Sequence, residues 1–177
     1  MKTLFSILLL HLLSICLCSC PYSSPYKLDD GPNIYIEEDL LGKWATFIKK
    51  TGSESEEPVK LILSRRSDME YNIAITGYLD ELKPFNVVHA DTVKGTAFIS
   101  AIDDKQFLNI TINTNVFIAE LKYRENKLSL LPLVEHFTSK MIFNNTALRK
   151  SVEVHYKTRV HPMYDDDFCL KDMVRVN

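Results

Sequence analysis

The chain has 177 residues, with 21 basic and 23 acidic side chains and a formal net charge of −2. No basic block stands out, which removes the electrostatic footprint expected of a nucleic-acid binder, and a chain of this length suits one domain. Its four cysteines fall at positions 16, 18, 20 and 169, a distribution that excludes a disulfide-rich scaffold and a cysteine-based zinc site.

The chain opens with Met1-Lys2-Thr3 and continues as an apolar run from Leu4 to Cys18. A single positive charge followed by an apolar stretch is the pattern of an export signal. The run falls short of the roughly 20 residues needed to span a bilayer, and His11 and Ser14 interrupt it. It ends Leu17-Cys18-Ser19-Cys20, which resembles the lipobox of bacterial lipoproteins: an aliphatic residue, one further residue, a small residue, then the cysteine that takes the lipid. Cys16 and Cys18 fit worse, because the bulky Ile15 and Leu17 precede them. The resemblance implies a signal peptide over residues 1–19, cleavage before Cys20, and a diacylglyceryl thioether on the Cys20 sulfur. The partner is then a membrane, reached through that lipid. The location implied is the cell envelope, with the outer membrane favoured where the host has one. The other reading of the same residues is an ordinary signal peptide, with Cys20 free or bridged. Removal of 19 residues leaves 158, with 20 basic and 23 acidic side chains and a net charge of −3.

Residues 20–35 contain Pro21, Tyr22, Ser23, Ser24, Pro25, Asp29, Asp30, Gly31 and Pro32. That composition reads as a lipid-anchored flexible tether, and residues 36–177 read as a single domain. Period-two patterns recur along it. Val59, Leu61 and Leu63 form one apolar face; Tyr71, Ile73 and Ile75 form another, alternating with Asn72, Ala74 and Thr76. Leu108, Ile110 and Ile112 alternate with Asn109, Thr111 and Asn113. Phe117, Ala119, Leu121 and Tyr123 share a face opposite Glu120 and Lys122, and Leu128 and Leu130 begin a further strand. Such alternation makes half-buried strands. Asp103-Asp104 and Arg124–Lys127 give hairpin spacings, and short strands joined by tight turns predict an antiparallel barrel or sandwich. One helix follows: Asn145 or Thr146 can cap it, and Leu148, Val152 and Tyr156 recur at four-residue steps with Arg149, Lys150 and Glu153 outward. Phe168–Val176 reads as a last strand.

The stretch Glu38-Asp39-Leu40-Leu41-Gly42-Lys43-Trp44 resembles the Gly-x-Trp signature that opens the first strand of lipocalin-like (calycin) proteins. The resemblance implies a mainly β fold: a lipocalin-like antiparallel β-barrel with one helix before the last strand. A helical turn precedes the first strand in that family, and the tryptophan plugs the closed end. The chain departs from the family in lacking its Thr-Asp-Tyr signature, and the sequence assigns no arginine to pack over the tryptophan. Small eight-stranded barrels either fill with side chains or hold one apolar ligand. Phe47, Tyr71, Phe85, Phe98, Phe107, Phe117 and Tyr123 supply the aromatics, most of them expected as filled core. The ligand-facing candidates are Tyr71, Ile73, Ile75, Phe117 and Tyr123. The functional expectation is a membrane-anchored lipoprotein that binds a small hydrophobic ligand; the alternative is a structural or protein-interaction component of the envelope with a filled barrel.

Nothing in the chain suggests catalysis. It has no Gly-x-Ser-x-Gly elbow, His-Glu-x-x-His helix or Gly-rich phosphate loop, and no cofactor is expected. Of His89, His136, His155 and His161, no two share a helical face at ligand spacing, so no metal site is expected. Tyr164-Asp165-Asp166-Asp167 lacks the spacing of a calcium loop. Glu135 and His136, adjacent in a strand, would point to opposite faces. Cys169, between Phe168 and Leu170, reads as a buried free thiol. Asn109-Ile110-Thr111 and Asn144-Asn145-Thr146 match the glycosylation pattern, which carries meaning only in a eukaryotic secretory chain.

Overall fold

A computed structural model describes residues 21–49, 56–77, 88–89, 91–159 and 163–176. Residues 1–19, where a signal peptide is expected, and Cys20 lie outside the described residues, as do Phe85 and His161. The strands are β1 (Ser23–Ser24), β2 (Gly42–Lys49), β3 (Glu56–Arg65), β4 (Tyr71–Gly77), β5 (Val88–His89), β6 (Thr92–Ile102), β7 (Lys105–Ile112), β8 (Asn115–Arg124), β9 (Lys127–Pro132) and β10 (Leu170–Val176). The helix α1 spans Asn145–Thr158, directly before the last strand.

Eight strands close into an antiparallel barrel in the order β2-β3-β4-β6-β7-β8-β9-β10, with β10 pairing back onto β2. Closure pairs each of these eight strands on both sides. The two-residue strands lie beside this ring: β1 along the start of β8, and β5 along the start of β6. The hairpins follow the turn chemistry read from the sequence. Asp103 has φ 52° in the β6–β7 turn, and Glu125 and Asn126 have φ 53° and 61° in the β8–β9 turn, the left-handed pair that a two-residue hairpin loop requires.

The inward faces are those that the alternation marks. Trp44, Leu61, Leu63, Tyr71, Ile73, Ala97, Leu108, Ala119, Leu121, Leu128 and Met173 join one buried cluster. The 3₁₀ turn Glu38–Leu40 and the segment before it plug one end. Ile34, Ile36, Leu40 and Leu41 pack against the cluster there, Ile36 N–H donates to Asp68 O at 2.9 Å, and Trp44 Nε1–H donates to Leu40 O at 2.9 Å. The arginine with no assignment from the sequence is Arg175, on β10. Its guanidinium lies 4.6 Å from the Trp44 ring centroid, and it donates to Leu41 O at 2.6 Å and to Asp39 O. Gly42 has φ 138°, and a Cβ there would come within 2.7 Å of that guanidinium. The glycine of Gly-x-Trp is therefore required by its positive-φ backbone, with the Arg175 guanidinium close over it.

A second core lies outside the barrel. Ile102, Phe107, Val116 and Ile118, on the outward faces of β6–β8, pack with Leu133, Phe137 and with Leu148 and Val152 of α1. These strands are thus covered on both sides. The helix is capped by Asn144, one residue earlier than the sequence suggests; its side chain accepts from Ala147 N–H at 2.8 Å. Asn145 serves another purpose, accepting from Lys27 N–H at 3.0 Å and donating to Asp30 at 2.8 Å.

Those bonds belong to the stretch whose composition reads as a tether. Residues 21–30 lie along the outer wall. Pro21 bridges to Val134, the Tyr22 ring meets Phe137 edge-on at 5.0 Å, Leu28 is buried in the outer core, and Asp29 pairs with Arg149 at 2.7 Å. Arg149, expected outward, is half-buried by this pairing. Asn109 anchors the arrangement: its Oδ1 accepts from Leu28 N–H at 2.7 Å and its Nδ2–H donates to Ser100 Oγ at 2.8 Å. A fully buried asparagine with these partners is no glycan acceptor.

Candidate functional site

The five interior candidates divide between the two ends of the barrel. Tyr71 and Tyr123 belong to the plugged end. Tyr71 is 1% exposed, and its hydroxyl accepts from Glu37 N–H at 2.7 Å. Burial, the dominant cause, raises its pKa, so the hydroxyl stays protonated. Tyr123 meets Trp44 edge-on at 6.0 Å and donates to Asn126 at 3.1 Å. Tyr71 therefore holds the plug, and Tyr123 packs against Trp44 while tying down the β8–β9 turn. Ile73, Ile75 and Phe117 lie further along, toward the end where β4 finishes and β8 begins. Exposure climbs in that direction along β4, from Tyr71 at 1% through Ile73 at 3% to the partly buried Ile75. On β2 it climbs from Trp44 at 0% to Ile48 at 9%, and Phe117 stands at 7%. Residues 50–55 and 78–87, which connect strands at this mouth, lie outside the described residues. Of the other aromatics, Phe98 and Phe107 are buried on the outer wall side rather than inside, and Phe47 is exposed.

A second site was not foreseen from the sequence. A cleft of about 290 Å³ opens on the outer wall, lined by Lys105, Glu120, Lys122, His155, Tyr156, Arg159, Met163 and Tyr164. Its floor is the outward face of β8, where Glu120 and Lys122 alternate with the inward Ala119 and Leu121. One wall is the C-terminal turn of α1; the other is the Met163–Tyr164 segment, held by Val134 N–H donating to Met163 O at 3.0 Å. Glu120 is 2% exposed, which would be costly for an unpaired carboxylate. It takes Lys105 Nζ at 2.7 Å and Lys122 Nζ at 3.7 Å on one oxygen, and accepts from the Tyr164 hydroxyl on the other. Burial first, then the bond to Glu120, lifts the Tyr164 pKa far above the usual phenol range, which keeps that hydroxyl a donor. The available signal was an acidic residue at an outward β8 position directly after the apolar outward residues Val116 and Ile118.

Nearby, Cys169 is free and buried, and burial pushes its thiol pKa up to about 12. Among the described residues no cluster of three or more His, Cys, Asp or Glu side chains is placed to hold a metal ion. Nor, among them, is any helix long and apolar enough to cross a membrane.

The geometry defines a closed eight-stranded antiparallel β-barrel with one helix before the last strand, compatible with a lipocalin-like fold. No family model, curated protein or solved structure matches the chain, so the likeness rests on this geometry alone.

Proposed function

We propose that the chain is a membrane-anchored lipoprotein, lipidated on Cys20, whose barrel takes a small hydrophobic ligand in the half of its interior nearest the mouth. The observation that carries the ligand reading is the rise in exposure of inward apolar side chains from the plugged end to Ile48, Ile75 and Phe117. Small barrels of this size hold one apolar molecule when they are not filled, and a plug at one end leaves the other for access. The anchor reading rests on Leu17-Cys18-Ser19-Cys20.

Two experiments test the two parts separately. Growth with an alkyne fatty acid should label the full chain and fail to label Cys20→Ser; equal labelling of both would refute the anchor at Cys20. A neutral apolar fluorescent probe such as N-phenyl-1-naphthylamine should bind saturably, and Ile75→Glu should weaken it by about tenfold, the scale of one buried apolar contact replaced by a charge. Unchanged probe affinity in Ile75→Glu would refute the mouth site.

A second reading is an envelope component with a filled barrel and an outward working surface. It is favoured by Val59 and Val93, which lie toward the mouth yet are only 1% exposed. The probe experiment separates the two, because a filled barrel offers no interior site to saturate.

A further inference from the structure

The outer-wall cleft belongs to neither account of the barrel interior. We propose that it is a binding site for a small planar organic anion of the aromatic-carboxylate class. Among the described residues, three permanent cations line it, Lys105, Lys122 and Arg159, against one carboxylate, Glu120. The cleft thus carries an excess of two positive charges on a chain whose net charge is −2. A concave site lined by one sign of charge concentrates oppositely charged small molecules.

Glu120 is the internal counter-ion. It holds Lys105 and Tyr164 in place, and its longer 3.7 Å contact with Lys122 leaves that more exposed ammonium, together with Arg159, able to meet a guest. The Lys122 side chain is 41% exposed against 25% for Lys105. Arg159 is exposed and sits past the end of α1 with φ 52°. The rest of the described lining is the Tyr156 and Tyr164 rings, the Met163 thioether and the His155 imidazole. The Tyr156 hydroxyl is engaged by Asp104 at 2.9 Å, so its contribution to the cleft is the ring. Each ring already has an ammonium near its face, Lys105 Nζ 5.0 Å from the Tyr156 centroid and Lys122 Nζ 5.8 Å from that of Tyr164. A ligand with a carboxylate on a ring matches both features together. The volume of about 290 Å³ stands at the lower bound of ligand sites, about 300 Å³, which favours one ring over a lipid chain.

The test uses the protein purified from cells expressing the full chain, with methionine methyl groups labelled with carbon-13, and follows the Met163 signal by NMR. Benzoate should shift that signal saturably. Benzamide, which keeps the ring and loses the charge, should bind about tenfold more weakly, the scale of one lost charge-assisted contact. Inorganic phosphate, which keeps charge and loses the ring, should also bind more weakly than benzoate. Lys122→Gln and Arg159→Asn should each weaken benzoate about threefold, as expected for exposed charges. Asparagine suits the left-handed backbone at 159, and neither variant disturbs the buried Glu120 pairing with Lys105. A Met163 signal unmoved by benzoate would overturn the site. Benzamide binding as tightly as benzoate, or unchanged affinity in both variants, would overturn the role of the cations. Phosphate binding more tightly than benzoate would overturn the role of the rings.

Discussion

Asn109 holds residues 21–30 onto the barrel, and its truncation to alanine tests that docking. The side chain makes two short buried bonds, from Leu28 N–H at 2.7 Å and to Ser100 Oγ at 2.8 Å, and a longer one to Phe98 O at 3.4 Å. Asn109→Ala leaves the Leu28 amide and the Ser100 hydroxyl without that partner inside the outer core. An unsatisfied buried polar group costs about 1–3 kcal/mol, so two of them predict a loss of about 2–6 kcal/mol. For a chain of this size that is a fall in Tm of roughly 5–15 °C, or about 1–2 M in the urea midpoint with an unchanged slope. Leu28→Ala removes a buried leucine side chain and should cost about 2–5 kcal/mol. Since either change frees the same segment, the double variant should lose less than the sum of the two, with a coupling of about 1 kcal/mol or more. Urea unfolding of the four proteins, followed by Trp44 fluorescence and by circular dichroism, measures the cycle. A loss below about 1 kcal/mol in Asn109→Ala, or strict additivity, would refute the claim that residues 21–30 are bound to the wall through this asparagine.

Further predictions concern the plug, the interior and the buried thiol. Gly42→Ala should destabilise by about 1–3 kcal/mol, because it strains a positive-φ position and drives a methyl toward Arg175; a neutral result in thermal unfolding would contradict the geometry. Arg175→Met should cost about 1–2 kcal/mol through lost bonds to Leu41 and Asp39 and the lost cation–π contact, and should alter the emission of Trp44, the sole tryptophan. Ile73→Asp puts a carboxylate into the barrel and should prevent folding at neutral pH by circular dichroism, since an unpaired buried charge costs several kcal/mol. Cys169 has a folded pKa of about 12 against an ordinary value of 9.0. Its burial therefore favours the folded state fully below pH 9, and that contribution is lost as the pH rises from 9 toward 12. Cys169→Ala should lack this component of alkaline destabilisation, and the native thiol should alkylate far more slowly at pH 8 than the urea-unfolded one.

The inner faces of β3, β4 and β8 were legible because one side of each carries regular large apolar residues: Val59, Leu61 and Leu63; Tyr71, Ile73 and Ile75; Phe117, Ala119, Leu121 and Tyr123. Gly42-Lys43-Trp44 pointed to a plugged end, and the structure supplies the reason for the glycine. Arg175 over the tryptophan could not be read, since the contact joins the two ends of the domain and leaves no local spacing. The same limit hid the docking of residues 21–30. Their proline and serine content signals little self-burial, yet Leu28 and Tyr22 find apolar partners on strands and loops far along the chain. Outward apolar residues Val116 and Ile118 broke the expected polar alternation of β8, which in hindsight marks a wall covered by α1. The split of the interior candidates was equally out of reach: Tyr71 and Tyr123 share a face with Ile73 and Phe117, but the Tyr71 hydroxyl holds the plug and the Tyr123 hydroxyl bonds the β8–β9 turn.

Native mass spectrometry of the protein extracted gently from its host's membranes tests the central claim most directly. The account predicts a chain beginning at Cys20 with a covalent diacylglyceryl mass, together with a stoichiometric non-covalent adduct that leaves on denaturation. A bare chain that acquires no adduct from a lipid extract would contradict the apolar ligand, and a Cys20 without lipid would contradict the anchor.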